Sequence, residues 1–239
     1  MDSYTSFAIV VLAALIHASF QLSISVLTHM SGHAIGKKTS LLRLLRLTTG
    51  YIFGAFITTM LVVSFLAYIG LAFRLHLSPL LMWSLITGMM VGVGVAVWLF
   101  YYRRTRGTVL WIPRGMARYL ESRAKATKHA SEAFSLGSTS VLAELLFTIA
   151  PAAAAAYSLS LLSFPLQLAG ILGYTLIASL PLIVVYMLIS SGHAISRIQR
   201  WREANRGFLQ FAAGSALLVL GAFIYAYEVI GVPIITGGA

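Results

Sequence analysis

Hydrophobic positions along the chain gather into six long runs separated by short polar stretches. They extend approximately over Ser6–Met30, Leu47–Phe73, Leu80–Tyr102, Phe134–Leu162, Pro165–Ser191 and Phe208–Val232. Each is longer than the roughly 18 apolar residues that mark a membrane-crossing helix. The pattern predicts an all-α integral membrane protein with six transmembrane helices. The second, fourth and fifth runs exceed what a bilayer needs, which predicts tilt or kinks.

Composition points the same way. Of 239 residues, 59% are hydrophobic and 10% charged, with a mean hydropathy of +0.89. A soluble domain of this size cannot hide so much apolar surface, so lipid is the expected solvent. The leader MDSYTS carries an acid and no cation. That does not fit the basic start of a cleaved signal peptide, so the first run is expected to stay as a helix. There is no cysteine, which excludes thiol redox chemistry and thiolate metal ligands.

The net charge of +11 raises the question of nucleic acid, and its distribution answers it. Lys37, Lys38, Arg43 and Arg46 lie between runs one and two. Eight cations from Arg103 to Lys128 lie between runs three and four. Arg197, Arg200, Arg202 and Arg206 lie between runs five and six, and Arg74 alone falls elsewhere. With six spans, sixteen of seventeen cations share one side, which is the positive-inside pattern. It places those three loops in the cytoplasm and both termini outside. The expected location is a prokaryotic cytoplasmic membrane. The expected partners are the lipid bilayer, a small solute or ion and, in a homo-oligomer, further copies of the chain; nucleic acid is not expected.

The one long loop divides the chain into three parts. Residues 1–102 form a first three-helix half, 103–133 a basic cytoplasmic linker, and 134–239 a second three-helix half. After Pro113 the linker reads RGMARYLESRAKATKHASEAF, rich in helix formers, which predicts a cationic surface helix. A plain solvated connector is the other reading. Three helices per half would invert the second half in the membrane, an arrangement common in transporters. SISVLTH (Ser23–His29) and STSVLAE (Ser138–Glu144) supply a short internal similarity. Gly50/Gly54 and Gly88/Gly92 each form GxxxG, which predicts close helix contacts in runs two and three.

Polar residues inside the runs carry the functional expectation. Glu144 is ten residues past Phe134, about 15 Å along a helix, near the bilayer centre. An intramembrane carboxylate is costly and is by default a functional candidate. Gly137, Ser140, Glu144, Thr148 and Pro151 follow helical steps of three and four, so they share a face. His17, Gln21, Ser25 and Thr28 do the same in run one, with His17 at similar depth. The expected site is a hydrated cavity where Glu144 and His17 bind a cation or relay protons, lined by Gln21, Ser140 and Thr139. The alternative is an interhelical hydrogen bond that only holds helices together. Tyr174 in run five is a further candidate for ligand contact. Pro151 and Pro181 interrupt their helices' amide ladders and are candidate gating positions.

His29 and His33 are four apart, and His193 would join them if runs one and five adjoin. Two ligands make an incomplete divalent-metal site and a third would improve it. Interfacial packing is the competing reading. His33 and His193 both fall in the repeated string SGHAI, whose Gly32 and Gly192 read as helix ends. No cofactor is expected; a divalent metal enters only as a candidate substrate. No nucleophile motif or phosphate loop points to an enzyme.

Three stretches together resemble the LysE-like superfamily, which includes the membrane part of cytochrome c biogenesis proteins (CcdA/DsbD-like) and several exporters. FSLGSTSVLAELLFTIAPAAAAA (Phe134–Ala156) is similar to the family's fourth helix, with its Phe/Leu-x-x-Gly start and kinked alanine-rich segment. GYTLIASLPLIVVYML (Gly173–Leu188) is similar to the fifth, with a tyrosine, small residues and a proline. SGHAIGKKTSLLRLLRLTTGYIFG (Ser31–Gly54) is similar to the basic exit from helix one and the start of helix two. The resemblance implies two inverted three-helix halves and export of a small polar solute or ion. The redox branch uses a cysteine in each half, whereas the matching stretch here reads Ser138-Thr139-Ser140. A thiol relay is therefore excluded and the transport branch remains. A non-transporting scaffold, holding a partner or lipid on the basic linker, is the reading from another functional class.

Overall fold

The computed structural model describes residues 3–20, 22–35, 41–74, 76–100, 114–191, 200–201 and 204–231. Among these residues every regular element is helical. In chain order they are α1 (Ser3–Ser19), α2 (Leu22–Ile35), α3 (Leu41–Phe73), α4 (Pro79–Phe100), α5 (Arg114–Ala126), α6 (Ala130–Ser160), α7 (Phe164–Ser190) and α8 (Arg206–Ile224). A π-helical turn, Tyr225–Ile230, continues α8. Five helical stretches are long and apolar enough to cross a membrane: α3, α4, α6, α7 and Gly207–Ile230. Their outer faces expose Phe53, Phe65 and Tyr68 on α3, Leu142 and Leu146 on α6, and Leu176 and Leu180 on α7. Apolar faces of this extent need lipid around them, so the protein is membrane-embedded.

The first hydrophobic run departs from expectation. It is two helices, broken around Phe20, and neither half alone has the length of a span. No glycine or proline lies there, so the break is imposed by tertiary contacts. The Ser19 hydroxyl donates to the Ile16 carbonyl at 2.6 Å, competing with the helix ladder. The Phe20 amide closes a tight turn onto the His17 carbonyl at 3.1 Å. The Phe20 ring is buried and stacks on Phe147 of α6, with centroids 6.0 Å apart.

Helix α6 occupies the centre. Its apolar window is 67% buried, against 28–39% for the other four candidate spans. It runs parallel to α3, and their contact is the most extensive in the fold. Small residues make this approach feasible. A Cβ on Gly50 would lie 2.7 Å from the Ala130 carbonyl oxygen. A Cβ on Gly54 would collide with the Phe134 carbonyl, and one on Gly137 with the Tyr51 carbonyl. The expected role of the second GxxxG is overturned: Cβ atoms on Gly88 and Gly92 would meet open space. Those two glycines lie on the outward face of α4, while Gly94 makes its contact, against Gly214 and Leu218 of antiparallel α8. Helix α1 packs on α6 and α7.

The expected basic helix is present as α5. Its Leu120 and Ala124 are buried against the bundle, while Arg118, Arg123 and Lys125 are exposed. Helix α5 packs on α2 and on the start of α6. There Glu132 accepts from the Lys128 and His129 amides at 2.7 and 3.2 Å, closing the turn between α5 and α6.

Glycine substitutions separate tight from open positions. Gly54→Ala or Gly137→Ala overpacks the α3/α6 contact and should cost about 1–3 kcal/mol. Gly92→Ala should leave thermal unfolding of the purified protein unchanged or slightly raised. Equal unfolding temperatures for all three variants would contradict the packing described.

Candidate functional site

The break between α1 and α2 faces Glu144. The carboxylate is 3% exposed, in the middle of the most buried helix. The Ser23 hydroxyl, in the first turn of α2, donates to Glu144 Oε2 at 2.7 Å. A helix start carries amide groups without intrahelical acceptors and the positive end of the helix dipole. Glu144 is thus held against the positive end of a half-helix. Broken helices at membrane depth occur where they line a cavity or are buried in protein.

Ser23 is fixed in turn by Tyr51 of α3. The fully buried Tyr51 hydroxyl donates to the Ser23 carbonyl at 2.8 Å and lies 2.6 Å from Ser140 Oγ. The Ser140 hydroxyl also reaches the Gly137 carbonyl at 2.8 Å, so the two hydroxyls share their two protons among three contacts. The chain Ser140 to Tyr51 to the Ser23 carbonyl ties α6, α3 and α2 together. A cavity of about 20 Å³ lies beside Glu144, lined by His17, Ser23, Thr59, Glu144, Ser179, Pro181 and apolar neighbours. That is space for about one water molecule, which needs some 10–15 Å³. Pro181 has no amide, so the Ile177 carbonyl of α7 lacks its helical donor at this level.

The sequence-predicted residues divide into three groups. His17 and Glu144 line one cavity. His17 Nδ1 also lies 2.9 Å from the Tyr174 hydroxyl, with the rings in a T-shaped contact. Tyr174 is fully buried and anchors His17, and Ser140 anchors Tyr51; neither is a cavity wall. Pro181 lines the cavity, whereas Pro151 is buried on the Glu144 face of α6 outside the lining. Thr139 points elsewhere. Its hydroxyl donates to the Ser135 carbonyl, and it lines a surface groove of about 50 Å³ with Tyr119, Arg123 and Glu132. Gln21, His193 and the side chains of His29 and His33 lie outside the described residues. Among the described residues no three His, Asp or Glu side chains cluster as a metal site would require.

Ser23, Tyr51, Thr59 and Ser179 did not emerge from sequence reasoning. Only Ser23 and Tyr51 had a local signal: the stretch SISVLTH, and a phenol flanked by Gly50 and Gly54.

Compared with known proteins, the chain matches no family model, no curated protein and no solved structure.

The Ser23–Glu144 bond predicts energetic coupling. Ser23→Ala and Glu144→Gln should be non-additive in thermal or denaturant unfolding, by about 0.5–3 kcal/mol. Additivity would mean that the bond is not made in the folded protein. Tyr51→Phe should destabilise by about 0.5–1.5 kcal/mol, because it removes the hydrogen bonds that tie α3 to Ser23 and Ser140.

Proposed function

We propose that the protein is a secondary transporter that exports a cation or small polar solute, coupled to protonation of Glu144. The observation that carries this reading is a buried carboxylate held at the start of a broken half-helix, beside a cavity lined by His17 and the hydroxyl residues Ser23, Thr59 and Ser179. Hydrogen bonding between helices could be met by Ser, Thr or Tyr alone; an intramembrane carboxylate adds cost without adding packing. The cavity accommodates one water or one small ion. This favours a proton or cation as the species held in this conformation, with larger cargo requiring α2 to move.

The mechanism follows from electrostatics. An ionised Glu144 attracts the positive end of α2 and holds the break closed. Protonation removes an attraction of about 0.3–2 kcal/mol and frees α2 to shift. His17, oriented by Tyr174, stands beside the same cavity as a second proton-binding group.

The transporter reading includes six spans, with α1 and α2 together making the first, and two inverted halves with both termini outside. The helix pairing supports it. Exchange run one with four, two with five and three with six. The packed pair α1/α7 then becomes α3/α6, and α4/α6 becomes α1/α8. The pairs α1/α6, α3/α7 and α4/α8 map onto themselves. A two-fold relation between halves produces such a pattern, and inverted repeats with midplane sites are a transporter architecture. The LysE-like resemblance supplies the same direction of transport.

A scaffold reading rests on a different observation, the exposed basic face of α5 and its adjoining groove. The two diverge at one residue. Glu144→Gln should abolish ion or solute flux in reconstituted vesicles while the protein stays folded in the membrane. Full flux in that variant would overturn the role of Glu144, and no flux in the unaltered protein would favour the scaffold.

A further inference from the structure

Buried Ser and Thr residues in helices commonly return their hydroxyl proton to a carbonyl one turn back. Two of the helices beside the Glu144 cavity show this habit. Thr48 of α3 donates to the Leu44 carbonyl at 2.9 Å, and Thr175 of α7 to the Ile171 carbonyl at 2.8 Å. Thr59 of α3 and Ser179 of α7 depart from it. They are 5% and 3% exposed, they line the cavity, and neither hydroxyl has a hydrogen-bond partner among the described residues. Buried hydroxyls carry a desolvation cost that only a partner offsets. Here two of them border one space, beside a carboxylate.

The donor set is made of hard oxygens, which suit hard cations. Glu144 supplies a carboxylate, and Ser23, Thr59 and Ser179 supply hydroxyls from α2, α3 and α7. Ser23 gives its proton to Glu144 Oε2 at 2.7 Å and keeps its lone pairs for a cation. His17 and Ala18 bring the last turn of α1 to the same space. The final carbonyls of a helix lack intrahelical donors and carry the negative end of its dipole. In broken helices at membrane depth, such ends coordinate cations, while half-helix starts hold anionic groups. The break at Phe20 supplies both: α2 starts at the carboxylate and α1 ends at the cavity.

Charge and size select the cation. His17 and Glu144 are the titratable residues in the lining, and His17 Nδ1 is engaged by the Tyr174 hydroxyl. With His17 neutral, one carboxylate balances one positive charge. A divalent ion would leave a net charge buried in low dielectric. Space for about one water excludes a hydrated or bulky cation. Sodium fits a short shell of oxygens, whereas potassium needs a wider cage.

We propose that the cavity beside Glu144 is a sodium site with Glu144, Ser23, Thr59 and Ser179 as ligands, and that sodium and a proton compete for Glu144. The site stands on the geometry; its use in transport rests on the transporter reading. In the exchange, sodium enters as the Glu144 carboxyl proton leaves to solvent. The charge of the site is unchanged, and the O–H bond is the one that breaks.

Two measurements test this: thermal unfolding of the purified full-length protein, and flux in vesicles containing a pH dye. At equal ionic strength, sodium chloride should raise the unfolding temperature saturably, and potassium or choline chloride should not. The sodium concentration for half the shift should rise as pH falls, because a proton then occupies Glu144. Thr59→Val and Ser179→Ala should raise that concentration about tenfold or more. Both should fold, since neither hydroxyl bonds a neighbouring helix. A sodium gradient should drive protons in the opposite direction, with the same rise in half-saturation in both variants. Stabilisation by sodium that is unchanged in both variants would place the ion elsewhere and overturn the site. Equal unfolding temperatures in all three salts, with Glu144-dependent flux that ignores sodium, would overturn the site and leave the transporter reading standing. Saturable stabilisation by sodium without any flux would keep the site and overturn the transporter reading. Neither stabilisation nor flux would overturn both.

Discussion

A carboxylate buried inside a membrane-embedded bundle must be neutralised or given donors, and this constraint organises the packing around Glu144. Insertion scales put an acidic group at the membrane centre at roughly 2.5–3.5 kcal/mol of cost. Glu144 meets it with a hydroxyl donor, Ser23, and with the positive end of α2. An unbroken first helix could not present a helix start at that depth. The break at Phe20 is thus the structural counterpart of Glu144, and the stacking of Phe20 on Phe147 holds it in place. Tyr51 extends the dependence to α3 by gripping the Ser23 carbonyl from the opposite side.

Tyr51 can reach Ser23 and Ser140 only because α3 and α6 nearly touch. Gly54 and Gly137 admit the facing backbone where any side chain would collide. Close packing and buried chemistry are one design at this point: the glycines bring the helices together and the tyrosine between them carries the hydrogen bonds. Helix α2 joins this rigid pair to the surface. Its first turn holds Glu144, and α5 with its exposed cations packs against it. A change of charge at Glu144 therefore acts on an element that contacts the basic face of the bundle.

Much of this was legible in the sequence because apolar run length and helical periodicity are strong, local signals. The bounds of α4 and α7 agree with their runs within a residue where described, and the buried face of α6 was readable from its steps of three and four. Glu144 stood out because an acid inside an apolar run has few innocent explanations. The broken first helix was not legible, since LIHASFQLSIS holds no proline or glycine and the break comes from contacts with α6. Beyond the break, Ser23 meets the carboxylate. Thr139 shows the complementary error. It is next to Ser140 in sequence, yet that single step turns its side chain from the bundle to a surface groove. Whether a GxxxG faces a neighbour or the outside, as for Gly54 and Gly92, depends on helix rotation and is invisible to spacing alone.

The claim at the centre is that Glu144 gains and loses a proton while buried. Infrared difference spectroscopy of the protein in lipid reads this directly, through the stretch of a protonated carboxyl group. A band that changes with pH and disappears in Glu144→Gln is the predicted result. A Glu144 whose protonation state stays fixed across the pH range in which the fold survives would contradict it.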